Sequence, residues 1–508
     1  MTDERAFGER RIRRIGIVGG GTAGWMVASA FAKVLGGRGS DAPELTLIES
    51  EAIGTVGVGE ATIPPIVLFN RLLGIDEDAF VRATGGTYKL GIEFVDWLRP
   101  GHRYLHSFGL FGADMNGVSF THYWLRADRG RRAGPRDLYN AEAQAARAGR
   151  FARTPPDAPP SLPRINYAYQ FDAGLYAGLL RRFAEGLGVS RVEGRIGDVE
   201  RAGEGVTAVR LDAGRRVEAD LWIDCSGFRG LLIEEALGAG YEDWSRWLPA
   251  NRAVAAPSAR DGAPVPYTQA TALGAGWRWR IPLQHRTGNG IVFSDAFMKE
   301  QDAIDQLAAT LGEAIEAEPR VLRFTTGRRR RAWVGNVVAI GLAAGFLEPL
   351  ESTSIHLVQA AIAKLLALFP QTEVEPKLTA RFNREMDALM DGIRDFLLAH
   401  YVLTEREDTH FWRHCRAIPL PDSLADKLET FRSRGEVLPG PQELFREVNW
   451  FSVLHGQGVT PADHHPVADA LPGDELDRRL GQIRSAVARR VAGLPAHAEF
   501  LRRSGGAL

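Results

Sequence analysis

Only two cysteines, Cys225 and Cys415, occur in 508 residues. That count excludes a disulfide framework and fits a reducing compartment. Long apolar runs are missing as well. The longest, residues 337–347, contains Gly341 and Gly345 and falls short of the ~20 residues a membrane-spanning helix needs. Charge of one sign is absent: 62 Lys and Arg against 63 Asp and Glu leave a formal net charge of −1. No general pull toward nucleic acid or an anionic membrane follows. Residues 1–14 are polar and lack the apolar stretch of a secretory signal, so the chain reads as cytoplasmic. A nucleophile elbow, a P-loop, a zinc-type spacing, internal repeats and low-complexity tracts are all lacking. His410 and His414 lie four apart beside Cys415, but no other ligand cluster supports them, and no metal is expected.

What is present is the composition of an ordinary soluble protein, 45% hydrophobic and 25% charged, with enough length for two or three domain-sized cores. The clearest local signal lies near the start. Residues 14–18 form a short apolar strand, Gly19-Gly20-Gly21-Thr22-Ala23-Gly24 follows at once, residues 23–35 have helical spacing, and a second strand over residues 45–48 ends at Glu49. This is a βαβ dinucleotide-binding opening. Gly19, Gly21 and Gly24 allow close approach of a pyrophosphate. The helix start at Thr22 and Ala23 stabilises its charge, and Glu49 can accept a ribose hydroxyl hydrogen bond.

Later segments look like parts of the same sheet. Asp172 is placed to cap a helix running to about Leu187, with a strand at residues 189–192. Residues 221–227 and 337–341 each read as a buried strand ending in a turn, the second at Gly341. The nucleotide domain is therefore expected to be discontinuous. Residues 131–164, rich in Arg, Ala and Pro, read as an exposed loop with a short helix. The basic run at residues 328–331 reads as a solvated strand entrance, and residues beyond about Leu378 as mostly helical.

The fingerprint alone does not separate NAD from FAD. Two further features favour FAD: a glycine-rich strap, Gly57-Val58-Gly59-Glu60-Ala61-Thr62-Ile63-Pro64, and the lack of a second fingerprint for a nicotinamide nucleotide. Downstream stands Trp277-Arg278-Trp279-Arg280-Ile281-Pro282. With Thr87-Tyr88-Lys89, His106-Ser107-Phe108-Gly109, Pro349-Leu350-Glu351-Ser352-Thr353 and Arg406-Glu407-Asp408-Thr409, this string resembles the flavin-dependent halogenases, in particular the tryptophan halogenase family. The resemblance runs over nearly the whole chain.

It implies an α/β chain with an FAD-binding, Rossmann-type (GR2-like) flavin monooxygenase fold and a mostly helical substrate module. The expected modules are residues 10–375 and 376–508. It also implies chemistry. Reduced flavin and oxygen give a C4a-hydroperoxide, halide attacks it to make hypohalous acid, and the acid travels through the protein to a lysine that delivers electrophilic halogen to an aromatic ring. The implied partners are a separate reductase supplying FADH2 and a small aromatic substrate, with no nucleic acid and no membrane; a homodimer is left open. A related aromatic monooxygenase and a flavin-binding sensor are the competing readings.

Each singled-out residue has a plainer alternative. Residues 87–98 alternate as one strand that puts Lys89 and Glu93 on one face. By residue type alone, Lys89 would be surface-exposed. The resemblance instead makes it the halogen-bearing residue, as an ammonium or a haloamine. Glu351 could be no more than a charge at a helix start. The resemblance places it near the lysine, orienting the halogenating species or taking the ring proton. Ser352 or Thr353 is placed to cap that helix. The resemblance sets halide near the amides of Thr353 and Ser354. Ser354 stands where the family carries Gly, which leaves chloride or bromide open. Trp277 and Trp279, with Ile281 and Pro282, are ordinary buried strand residues or, by the resemblance, a wall keeping organic substrate from the flavin. Gly59, Glu60 and Ala61 of the strap and Gly341 complete the flavin set. His106 and Phe108 match positions that flank the aromatic substrate. Near the C-terminus the chain departs from enzymes acting on free tryptophan. Residues 445–454 are shorter, Trp450 and Phe451 replace a Tyr pair, and a Phe-Trp element is missing. Indole or an indole derivative is therefore expected to be a better substrate than free tryptophan.

Overall fold

A computed structural model describes residues 12–51, 59–159, 162–370 and 374–506. Gly57 and Val58 of the strap lie outside the described residues.

The nucleotide sheet has six strands in the order Trp333–Val334, Val337–Ala339, Leu221–Asp224, Arg14–Val18, Glu44–Glu49, Ser190–Glu193. All pair parallel except the first. Parallel strands are covered on both faces, which is why their sequences are nearly unbroken apolar runs. The strands come from widely separated stretches, as the sequence predicts. The helix Thr22–Leu35 is buried from Gly24 to Ala32. Against it packs the helix Ala173–Gly186, started by Asp172, whose carboxylate accepts from the amides of Gly174 and Leu175.

A second sheet of seven strands runs Arg320–Arg323, Arg252–Ala259, Arg286–Phe293, Gly276–Pro282, Thr268–Ala272, Gly91–Val95, Arg103–Ser107. A small third sheet joins the strap strand Gly59–Ala61, Ala168–Asp172 and the lysine strand Thr87–Lys89. Here the structure corrects the expected single strand over residues 87–98. The chain leaves one sheet at Lys89, which pairs with Ala168, and enters the other at Gly91. Leu90 sits at the seam and donates its amide to the Pro266 carbonyl. Glu93 is therefore no neighbour of Lys89. It is held by Gln269 at 2.9 Å and faces Arg103 at 3.4 Å.

Two other expectations change in part. The short helix expected within residues 131–164 is Ala141–Arg147, but it is not exposed: Ala141, Ala143, Ala145 and Ala146 are buried. Its small side chains let the helix Gly473–Ala492 pack on it, and such alanine packing leaves no large apolar periodicity to read. The basic run is only half solvated. Arg328 is largely buried between Glu242, Asp387 and Asp391, and Arg329 pairs with Glu234. Arg330 and Arg331 are exposed.

After residue 376 the chain is helical: Pro376–Val402, His410–Arg416, Asp422–Arg434, Glu447–Gly456, Gly473–Ala492 and His497–Arg503. The helix Glu447–Gly456 lies on the strand Arg103–Ser107. That contact, with the 27-residue helix Pro376–Val402, brings His400 to Glu351 and Asn449 to His106. Among the described residues no helix is long and apolar enough to cross a membrane, and no group of three or more metal-type ligands forms.

Candidate active site

The glycine loop is a cradle with no room for side chains. Gly19 has φ +108°, and a Cβ there would lie 2.3 Å from the Cys225 carbonyl oxygen. A Cβ on Gly24 would lie 1.9 Å from the Gly19 carbonyl oxygen. Gly341, at φ +72°, comes within 2.9 Å of the Ala23 methyl by the same measure. Gly21 instead faces open space, and no side chain caps the helix that follows. Its first amides are thus available to an anion. Glu49 ends its strand against Gly20, where its carboxylate also pairs with Arg191 at 2.5 Å. An uncapped helix start beside a glycine loop, with a carboxylate at the next strand end, fits a dinucleotide such as FAD.

The strap strand connects this cradle to the second sheet. Gly59 packs against Gly288 and Ile281. On the strand Gly276–Pro282, Trp277 and Trp279 point inward and are buried. Trp279 covers Gly290 so closely that a Cβ there would lie 2.1 Å from the indole. Trp277 Nε1 donates to Glu348 Oε2 at 2.8 Å, and the Tyr401 hydroxyl donates to the same oxygen at 2.7 Å. Burial pushes the Glu348 carboxyl up to about 7 despite these bonds. The Pro282 carbonyl accepts from the Thr87 hydroxyl at 2.7 Å, which ties the tryptophan strand to the lysine strand.

Lys89 is fully buried, so the surface alternative fails. Its ammonium donates to Ser352 Oγ at 2.7 Å and stands 5.3 Å from the centre of the Phe108 ring. Burial lowers its pKa from 10.5 to about 7, with Glu351 and Glu60 opposing. Burial likewise pushes the Glu60 carboxyl up to about 7, with Lys89 opposing. Both forms of the lysine are thus populated near neutrality.

Glu351 closes a short 3-10 turn, Pro349–Glu351, and Ser352 follows in the left-handed region at φ +59°, uncommon for a residue with a side chain. Glu351 is 1% exposed. Its Oε2 lies 2.8 Å from His106 Nδ1, and its Oε1 lies 3.0 Å from His400 Nε2. Burial would raise this carboxyl, but His106 and His400 outweigh it and hold it at about 2. The expected side-chain cap on the helix Ser354–Ala367 is absent. The Ser352 hydroxyl serves Lys89 instead, and the buried Thr353 hydroxyl oxygen has no partner. The helix start beside Thr353 and Ser354 therefore stays open to an anion.

His106 is more than a flat wall. Arg446 donates its amide to Asn449 Oδ1 at 2.9 Å, which turns Asn449 Nδ2 toward His106 Nε2 at 3.1 Å. An amide nitrogen only donates, so the His106 proton sits on Nδ1 and is given to Glu351. The His106 ring also lies near the stacked pair Phe396 and Phe445, whose centroids are 3.7 Å apart. Trp450 stands behind Phe396, edge-on at 4.8 Å. Phe451 departs from the expected substrate wall. Two residues beyond Asn449 on a helix, it points to the far side and packs on Phe111, Trp124 and Phe431. Sequence reading passed over Glu348, Phe396, His400, Tyr401, Phe445 and Asn449. The tyrosine and the two phenylalanines look like ordinary core, and the histidine and asparagine sit in no motif.

Comparison with known proteins agrees with this geometry. The tryptophan halogenase family model matches residues 14–473. A solved flavin-dependent halogenase from Xanthomonas campestris shares 49% identity over 97% of this chain and 99% of its own, with a TM-score of 0.93. One from Brevundimonas sp. BAL3 shares 44% over 97% and 99%, with a TM-score of 0.92. A tryptophan 7-halogenase from Lentzea aerocolonigenes is 38% identical over 536 aligned residues, covering 98% of this chain and 99% of its own. The flavin-type cradle, the buried lysine and this likeness over almost the full length lead to one conclusion: the chain belongs to the tryptophan halogenase family of flavin-dependent halogenases.

Proposed function

We propose that this enzyme uses FADH2, oxygen and chloride or bromide to halogenate indole or an indole derivative in preference to free tryptophan. The single observation that carries the reading is Lys89, a solvent-free amine bonded to Ser352 with the Glu351 carboxylate nearby. FAD, held by Gly19, Gly21, Thr22, Ala23, Gly24, Glu49, Gly341 and the strap residues Gly59, Glu60 and Ala61, and delivered reduced by a separate reductase, supplies the oxidant that converts halide to hypohalous acid. The amides of Thr353 and Ser354 hold the halide. Trp277, Trp279, Ile281 and Pro282 keep organic substrate off the flavin side, which favours halide oxidation over ring hydroxylation. Lys89 receives hypohalous acid by hydrogen bond as an ammonium, or carries the halogen as an amine. Phe108 and His106 border the aromatic ring, backed by Phe396, Phe445 and Trp450. Glu351 faces the reacting centre.

The substrate preference rests on the C-terminal region. The aromatic wall of Phe396 and Phe445 offers no partner for an amino-acid backbone, and the polar Asn449 is committed to His106 and Arg446. The relative from Lentzea aerocolonigenes is named for tryptophan, whereas residues 445–454 here lack the clamp expected for that substrate. The test supplies a reductase, FAD, NADH, oxygen and either halide, with indole and tryptophan in parallel, and examines products by mass spectrometry. Halogenated indole, with little halogenated tryptophan, is expected. Added oxygen would make the protein a hydroxylase, flavin binding without product would make it a sensor, and a tryptophan preference would overturn the substrate assignment. Lys89→Ala is expected to lose halogenation while still binding flavin.

A further inference from the structure

Lys89 lies on an edge strand, Thr87–Lys89, the outer member of the small third sheet. On its inner side the strand pairs with Ala168–Asp172, Lys89 against Ala168. Along an antiparallel strand, alternate residues turn their amides toward the partner and away from it. The amides that flank Lys89, those of Tyr88 and Leu90, face away and need partners of their own. Leu90 donates to the Pro266 carbonyl at 2.8 Å. Tyr88 donates to a side chain, His497 Nε2, at 3.2 Å. His497 opens the helix His497–Arg503 and is 1% exposed. Its Nδ1 lies 2.8 Å from the Pro264 carbonyl oxygen. A carbonyl only accepts and an amide only donates, so one tautomer serves both, with the proton on Nδ1 and the lone pair on Nε2. Burial lowers the pKa of this ring to about 4, with the Pro264 carbonyl opposing, so the lone pair stays free at neutral pH. One imidazole therefore joins the lysine strand to the stretch 264–266, which also holds Leu90. The segment that carries it is itself fastened. The His497 amide donates to the Gly149 carbonyl, and the Phe151 amide donates to that of Pro495. Phe151 stacks on the Tyr88 ring at 4.2 Å, and Phe500 meets that ring edge-on at 5.4 Å. The ring of Tyr88 and its amide are thus held from the same corner of the fold.

We propose that His497 is a positioning residue for Lys89, acting through the Tyr88 amide to fix the strand that aims the amine between Ser352 and Phe108. The inference rests on the reading of Lys89 as the group that delivers halogen. The amine reaches Ser352 Oγ at 2.7 Å and stands 5.3 Å from the centre of the Phe108 ring. Such a geometry tolerates little movement, because misplacing a reacting group by about 1 Å costs on the order of 10²-fold in rate. His497 meets the lysine strand on the side away from Ala168–Asp172 and the strap strand Gly59–Ala61. Its loss therefore disturbs the aim of the amine and leaves the formation of oxidant at the flavin unchanged.

The test compares two amides at this position. In His497→Gln the side chain reaches the place of Nε2, where its oxygen accepts from Tyr88. In His497→Asn the shorter side chain reaches only the place of Nδ1, so it keeps the donor to Pro264 and loses Tyr88. Each purified variant, with reductase, FAD, NADH, oxygen and bromide, is given indole together with a diffusible trap for hypobromous acid. Both brominated products are counted by mass spectrometry. His497→Asn is expected to brominate indole about 100-fold more slowly, with KM for indole little changed and flavin content native. The oxidant no longer spent on indole appears on the trap. His497→Gln is expected to stay close to the native enzyme. Native turnover in His497→Asn, an equal fall in both variants, or a fall in the sum of the two products overturns the inference. If the native enzyme itself brominates no indole, the proposed function is what fails. Should His497→Asn not fold, His497→Phe keeps a ring beside Phe151 and Phe500, lacks the acceptor and must show the same diversion to the trap.

Discussion

Replacing Lys89 with Met is expected to destroy halogenation and yet stabilise the fold. The ammonium is closed to bulk solvent, and burial brings its pKa from 10.5 to about 7. At pH 7 that gap corresponds to roughly 4 kcal/mol of lost stability, because the unfolded chain binds the proton more tightly than the folded one. Against this stands the hydrogen bond to Ser352, worth about 1.5–3 kcal/mol for a charged donor. The balance predicts a gain of about 1–2.5 kcal/mol in unfolding free energy for Lys89→Met, a side chain of similar length. The sign with pH follows. The penalty on the native enzyme is complete below about pH 7, shrinks as pH rises, and is gone above 10.5. The native enzyme therefore catches up with the variant between those values. Urea unfolding of both proteins at a series of pH values, with flavin content matched, measures the difference. A variant less stable than the native enzyme at pH 7, or a difference that does not change with pH, would refute the reasoning.

Two further outcomes follow from the same geometry. Trp277→Phe removes one of the two donors to Glu348 Oε2 and leaves Tyr401 alone; the expected loss is about 1–3 kcal/mol, read by urea unfolding, and no loss would show that the bond contributes nothing. Gly24→Val sets a branched side chain where even a Cβ would lie 1.9 Å from the Gly19 carbonyl oxygen; the purified protein is expected to fail to retain flavin, and native flavin affinity by fluorescence titration would contradict the cradle.

The nucleotide half was readable because its signals are local. A strand, a glycine loop, a helix and a terminal acid follow one another within residues 14–49, and each is dictated by neighbours in the chain. The exposure of Lys89 was not readable from alternation. The strand breaks at Leu90 because Pro266, far away in sequence, takes the amide that would have continued the pairing. Glu351 could be pointed to by its motif, but the groups that hold its carboxyl low could not, since His106, His400 and the Asn449 that orients His106 come from three distant elements. Phe451 was assigned to the site because it and Trp450 stand in place of a Tyr pair, whereas a helix turns each residue about 100° from the last and sends the two rings to different neighbours. The Arg328 ion cluster was missed for the same reason: its acids, Glu242, Asp387 and Asp391, are brought together only by the fold.

The strand Val337–Ala339 is the outer parallel member of the nucleotide sheet, and it lies in the last third of the chain. A growing polypeptide therefore cannot complete its flavin pocket until that stretch has left the ribosome. Glu351 and Ser352 emerge immediately afterwards, and His400 and Asn449 later still.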